Sequence, residues 1–381
     1  MNNDEIKRKK IVVMENGLLS TYTMRDGLMQ CLLKEGYEVT VLAHTNSFVS
    51  QVEKTGLKVI NVGSGNINPV KVTKYIYKLY HALKKIKPDV CLTFSIRPAI
   101  WGNFITRFLS IPTITNITGV GPLFTSKNMA YRMARFIYRV ALKKTKKVFF
   151  QNYDDMNLFL ENRFVKREIA QRIPGSGVDY QKFSPMIIKD KDESSFIFLF
   201  IGRLIKDKGI FEFVEAAKII REKYPRVVFN VIGPFWQQNL KSNTITKSDL
   251  QNWITEGVID YLGEKKDVRK FIAEADCIVL PSYREGTSNI LLEAASMEKP
   301  AITSNVTGCK EIVEDTVSGF LCNVKDSADL AKKMEKMLLL TDAQREEMGK
   351  KARQKIIKEY DKQIVLNEYL KAIDEVLSDK L

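Results

Sequence analysis

Along this chain apolar runs of strand length alternate with amphipathic segments of helix length, and the alternation breaks once, near the middle. Candidate strands fall at 11–14, 38–43, 58–62, 89–94, 113–117 and 148–150. Segments with helical periodicity lie between them, at 24–34, 70–86, 101–109 and 129–142. Residues 173–185 (IPGSGVDYQKFSP) then bring Pro, Gly and Ser together ahead of a charged KDKDE, which reads as a hinge. The alternation restarts with strands at 196–201, 226–232, 259–262, 277–280 and 301–304 and helices at 210–223, 268–274 and 289–297. Residues from about 340 to 381 read as helical throughout. Strands joined by helices imply right-handed crossovers and parallel sheets. The expected fold class is therefore α/β, with two Rossmann-like, doubly wound domains facing across a cleft at the carboxyl ends of their strands. The expected divisions are a first domain at 1–172, a hinge at 173–190 and a second domain at 191–355. A terminal helix at 356–381 is expected to pack back on the first domain.

A length of 381 residues suits two such domains, and 45% hydrophobic with 28% charged residues is the balance of a globular protein. No apolar run approaches the about 18 residues that a membrane-spanning helix needs. The start, MNNDEIKRKK followed by IVVM, lacks the apolar core of a signal peptide, which argues against export. Five scattered cysteines without a C-x-x-C pair suit a reducing cytoplasm.

The net charge of +15 is uneven, because residues 1–172 hold 28 Lys and Arg against 12 Asp and Glu. Two segments, KVTKYIYKLYHALKKIK (71–87) and YRMARFIYRVALKKTKK (131–147), mix bases with aromatics at helical spacing. Each fits an amphipathic helix with a solvated basic face, and each equally fits a helix lying on anionic lipid. Confinement of the charge to one half favours an anionic partner for that half. No nucleic-acid module is recognisable, so an anionic membrane surface is expected, with Lys143, Lys144, Lys146 and Lys147 as the docking cluster.

The sharpest group of chemical residues follows the strand at 277–280, in PSYREGTSNILLEAASMEKPAI. Glu285 lies in the loop, Glu293 eight residues later on the next helix, and Ser288–Asn289 can cap that helix. The helix's first amides can hold an anion such as a diphosphate, a carboxylate one turn in can accept from a ribose diol, and Gly286 admits close backbone approach. By itself such a pair is more often a solvated loop acid and a helix-surface acid. Its context differs, because the second domain opens with a strand and then Gly202-Arg203-Leu204-Ile205-Lys206-Asp207-Lys208-Gly209. Arg203 and Lys208 supply cations for a diphosphate beside acids for hydroxyls.

Taken together, GSGVD-x-x-x-F (175–183), GR-x4-K, E-x7-E and GCKEIVEDTVSGFL (308–321) resemble the family 4 glycosyltransferases of GT-B fold, over essentially the whole chain. SIRPAIWGN (95–103) and IPTITNITGVGPLFT (111–125) resemble the bacterial subgroup that extends polyprenyl-diphosphate-linked sugars in N-glycan, capsule and O-antigen assembly. The resemblance implies retaining transfer from a UDP-sugar, an N-acetylhexosamine or hexose, to a lipid-linked saccharide at the cytoplasmic face of a bacterial membrane. It implies that Arg203 and Lys208 bind the donor diphosphate, with Glu285 beside the hexose and Glu293 on the ribose. It places Gly286, Thr287, Ser288 and Asn289 around the sugar and phosphates, and Gly17 in a segment closing over the phosphates. Tyr261, Leu262 and Gly263 fall where the family places the base, and Asn116, Thr118 and Gly119 fall on the acceptor side. The chain departs from many relatives in its TSN sequence at 287–289 and in lacking a histidine at 116–121.

No cofactor or metal is expected. The D-x-D at Asp190–Asp192 sits in the charged linker, and His44 and His81 are the only histidines. The remaining alternatives are a glycosyltransferase acting on a small or storage-sugar acceptor, a nucleotide-sugar epimerase of the same fold, and a basic nucleic-acid-binding module.

Overall fold

The computed structural model describes residues 8–45, 49–63, 68–120, 129–188, 195–235 and 244–379. The chain divides into two compact units, residues 1–176 with 362–381 and residues 177–361. The divisions thus fall at 176/177 and 361/362, rather than at 172, 190 and 355.

The first unit is built on seven parallel strands, β1 (Lys10–Gly17), β2 (Glu38–His44), β3 (Lys58–Asn61), β4 (Val90–Phe94), β5 (Thr113–Ile117), β6 (Lys147–Phe150) and β7 (Ala170–Arg172). Their order is β3-β2-β1-β4-β5-β6-β7. Alternate residues of β1 feed two cores. Ile11 and Val13 pack with helices Asp26–Lys34 and Lys362–Ser378, while Val12 and Met14 pack toward helix Pro69–Ile86. Burial on both faces explains why the central strands β1, β2 and β4 read as largely apolar runs. The helix Lys362–Ser378 belongs to this core through Val365, Tyr369, Ile373 and Val376, which recur on one helical face.

Several expected elements are divided. The helix expected at 24–34 is Asp26–Lys34, and a further helix, Leu18–Met24, precedes it, the two parted at Arg25, whose side chain turns inward. The helix expected at 101–109 opens as a π-helical turn, Pro98–Gly102, before Asn103–Phe108. A Cβ on Gly102 would sit 2.8 Å from the Met14 sulfur, so the turn passes close against β1. The helical tail is two helices, Asp342–Glu359 and Lys362–Ser378, parted where Val178 N donates to the Tyr360 carbonyl at 2.9 Å. β7, with sequence AQR, carries no apolar run and is invisible to pattern reading.

The second unit has six parallel strands, β8 (Ile197–Ile201), β9 (Val228–Ile232), β10 (Asp260–Tyr261), β11 (Cys277–Leu280), β12 (Ala301–Ser304) and β13 (Gly319–Cys322). Their order is β10-β9-β8-β11-β12-β13. Strand order therefore reverses between β1 and β4 in one sheet and between β8 and β11 in the other. Open α/β sheets bind ligands at such points, outside the carboxyl ends. The Asp190–Asp192 motif lies outside the described residues. Among the described residues no helix is long and apolar enough to cross a membrane.

Candidate active site

Two loops meet at the reversal point of the second sheet, 202–209 after β8 and 281–288 after β11. Gly209 (φ +76) makes the meeting possible, since a Cβ there would fall 2.0 Å from the Pro281 carbonyl oxygen. Lys208 Nζ donates to Glu285 Oε1 in an ion pair whose side chains are only 20% and 13% exposed. The fully buried Ser282 hydroxyl lies 2.8 Å from the same Glu285 oxygen and 3.0 Å from the Asp207 carbonyl. Tyr283 N donates to that carbonyl at 2.9 Å. From the β12 side, Glu285 N donates to the Thr307 carbonyl at 3.0 Å. A Cβ on Gly308 (φ +80) would lie 2.5 Å from the Glu285 carbonyl oxygen. The loops after three strands thus hold the Glu285 backbone and one of its carboxylate oxygens.

Gly286 and Thr287 continue this loop into helix Asn289–Ser296. Ser288 stands at the N-cap, but its side chain accepts no hydrogen bond, which corrects the expected cap; its N–H donates to the Gly308 carbonyl at 3.0 Å. With no side chain capping them, the first-turn amides have their donors and the positive end of the helix dipole available to an anion. Glu293, one turn in, is half-buried and makes no hydrogen bond among the described residues. Burial pushes its carboxyl up to about 7, with Lys182 opposing and Asp267 adding to the rise.

Arg203 is exposed at the start of the β8 loop, on the same segment as Lys208. Tyr261 ends β10 and Leu262 and Gly263 follow it, on the far side of β8 from Glu285. Tyr261 OH donates to the Gly233 carbonyl at 2.9 Å, and Gly233 N donates to that of Gly263 at 3.1 Å.

In the first unit the reversal point carries charges that sequence reading passed over. Glu15 is buried at the exit of β1 and paired with Arg25. Burial raises its carboxyl while the Arg25 guanidinium opposes the rise. Arg25 also lies 4.1 Å over the Phe94 ring at the end of β4. Gly17 follows with extended backbone (φ −162), and a Cβ there would meet nothing within 4 Å. Neither backbone nor packing therefore requires glycine at that position.

Asn116 is buried at the end of β5, and its amide donates to the Tyr369 hydroxyl at 2.5 Å. It ties β5 to helix Lys362–Ser378. Thr118 and Gly119 follow, half-buried. Ser282, Arg25 and Glu15 are the site residues that pattern reading missed. Only Ser282 left a signal, standing directly after a strand-end proline and three positions before Glu285.

Residues 10–152 match the family described as glycosyl transferase 4-like, and residues 186–355 match glycosyl transferases group 1. The UDP-Gal:alpha-D-GlcNAc-diphosphoundecaprenol alpha-1,3-galactosyltransferase of Escherichia coli is 30% identical over 68% of this chain and 69% of its own length. The Campylobacter jejuni N,N'-diacetylbacillosaminyl-diphospho-undecaprenol alpha-1,3-N-acetylgalactosaminyltransferase is 25% identical over 94% of this chain and 97% of its own. Among solved structures, a Rickettsia africae glycosyltransferase superposes with a TM-score of 0.79 at 20% identity, covering 97% of this chain and 99% of that one. Anabaena HepE with UDP and glucose gives a TM-score of 0.80 at 15% identity, covering 97% and 100%. With two parallel Rossmann-like sheets, a cation–acid pair and an uncapped helix at the second reversal point, and these relatives, the chain belongs to the group 1, glycosyl transferase 4-like family of GT-B glycosyltransferases.

Proposed function

We propose that this enzyme moves an N-acetylhexosamine or hexose from a UDP-sugar to a polyprenyl-diphosphate-linked saccharide, with retention, at the cytoplasmic membrane surface. The observation that carries the reading is the meeting of Lys208 and Glu285 ahead of the uncapped helix Asn289–Ser296. A departing nucleotide diphosphate needs preorganised positive charge, which Lys208, Arg203 and the helix amides supply. Binding of the diphosphate would draw Lys208 toward phosphate and leave Glu285, still oriented by Ser282, for a sugar hydroxyl. Glu293 would accept from the ribose diol. With these donors in place, transfer requires no divalent metal. Similarity to enzymes named for undecaprenyl-diphosphate-linked acceptors supports the acceptor class.

Membrane docking is supported by a basic face on the first unit. Helices Pro69–Ile86, Asn103–Phe108 and Met129–Leu142 pack as neighbours. Met129, Met133 and Phe136 form an exposed stripe at i, i+4 and i+7, with Arg132, Arg135 and Arg139 interspersed. An exposed apolar stripe set among cations suits the headgroup zone of an anionic bilayer.

A donor screen tests the function. UDP-sugars are offered with and without a polyprenyl-diphosphate-linked saccharide, in EDTA, and the product's anomeric configuration is read by NMR. One donor should be consumed only with acceptor and give an α-linked product. Donor turnover without acceptor would indicate an epimerase, and activity restored only by Mn²⁺ would overturn the metal-free reading.

A further inference from the structure

Away from the strand ends, the face of the first unit carries a cleft of about 380 Å³ between helices Pro69–Ile86 and Asn103–Phe108. Ile76, Tyr77, Tyr80, Phe104 and Phe108 line it, with Thr73 at one end. The Thr73 hydroxyl is already satisfied by the Pro69 carbonyl at 3.0 Å, so the cleft wall offers mainly hydrocarbon and ring faces. Tyr77 is 64% exposed and Phe108 77%. Tyr80 braces Phe108 with ring centres 6.1 Å apart, which holds the cleft open with rigid side chains. Exposed rings gathered into one patch suit an apolar ligand.

The two helices that wall the cleft carry charge of one sign. Neither helix contains an Asp or Glu, whereas Lys71, Lys74, Lys78, Lys84, Lys85 and Arg107 all lie on them. Lys84 sits 5.7 Å over the Tyr80 ring. A second copy of this chain would bring a like-charged rim against this one, which is repulsive. An occupant that complements both features has an extended apolar chain and an anionic head.

We propose that this cleft binds the isoprenoid chain of the lipid-linked acceptor, with its phosphate at the side where Lys84 stands over Tyr80. The inference rests on the reading that the acceptor is a polyprenyl diphosphate. It adds a chain-binding site apart from the transfer chemistry, in the cleft between two named helices. Burying two exposed rings against a chain supplies apolar contact, and the Lys84 ammonium supplies the charge-assisted part.

The test is binding of farnesyl phosphate, below its micellar concentration, to the full chain. It is followed by calorimetry and by fluorescence of Trp101, whose ring centre lies 6.2 Å from that of Phe104. Farnesyl phosphate should saturate one site, while inorganic phosphate and dodecyl phosphate should bind at least about tenfold more weakly, equivalent to about 1.4 kcal/mol. The double variant Tyr77→Ser, Phe108→Ser should weaken farnesyl phosphate about tenfold and melt like the parent, because both rings are exposed. Lys84→Gln should weaken farnesyl phosphate but not farnesol. Non-saturable binding, parent-like affinity in the ring variant, or equal affinity for dodecyl phosphate would overturn the proposal. So would a concentration-dependent dimer that the ring variant abolishes. A protein that transfers sugar equally well to short- and long-chain acceptors yet binds no farnesyl phosphate loses the cleft and keeps its function. One that binds farnesyl phosphate but transfers nothing keeps the cleft and loses the acceptor reading.

Discussion

Ser282 has one proton to give and two acceptors within reach, the Glu285 carboxylate and the Asp207 carbonyl. Donation to the carboxylate fixes which Glu285 oxygen remains for a ligand. Ser282→Ala removes a hydrogen bond to a charged group, worth about 1.5–3 kcal/mol, so kcat should fall about 10–100-fold. Donor KM should change far less, and Ser282→Thr should recover part of the loss. Equal loss of kcat in Ala and Thr variants that both melt early would reduce Ser282 to a packing role.

Glu293 offers a second test at this scale, through pH. Its carboxyl, ordinarily 4.5, is pushed up to about 7. Between those values the folded chain binds a proton that the unfolded chain has released, so stability falls as pH rises through that window. Glu293→Gln abolishes the loss. Its stability relative to the parent should improve by about 1–3 kcal/mol from about pH 5 to about pH 8, while its UDP affinity falls. Urea melts across that range would show it. A stability difference independent of pH would remove the raised carboxyl from the account.

The loop 143–146 and the first residue of β6 decide a question at the scale of elements. Lys143, Lys144 and Lys146 are exposed and Lys147 is half-buried, while Lys146 already pairs with Asp379 at 3.3 Å. They stand at the amino end of β6, whereas Asn116 and Glu15 stand at the carboxyl ends of β5 and β1. The cluster follows directly on helix Met129–Leu142 and takes no part in the reversal-point site. Each lysine near an anionic surface contributes about 1 kcal/mol, so the three not paired with Asp379 should shift vesicle binding about a hundredfold. Changing all four to Gln should release the enzyme from anionic vesicles and slow transfer to an embedded acceptor. It should spare a water-soluble acceptor analogue. Sedimentation with vesicles like that of the parent would leave these lysines as solvated charge.

Across the whole molecule, what was legible followed from local physics. Strands buried on both faces must be apolar throughout, so β1, β8 and β11 announce themselves, and the Gly- and Pro-rich stretch at 173–185 marks where one alternation ends. Charge is additive along the chain, so the basic first half needed only counting. The segments bearing Arg203, Lys208, Glu285 and Glu293 could be placed in the chain because each follows a strand, β8 or β11, that its apolar run locates. Tertiary structure alone decided the rest. Lys208 and Glu285 are 77 positions apart and pair only because β8 and β11 are neighbours at a reversal of strand order. Glu15 and Arg25 look like ordinary surface charges in sequence, since nothing local reveals that a charge will be buried with a partner. The tail helix Lys362–Ser378 joins the core of the first unit through Tyr369 and Ile373, a contact across more than two hundred residues to Asn116 and β4. Periodicity shows that a helix has an apolar face. Which distant surface that face will cover depends on how the strands are ordered in space, and local sequence does not encode that order.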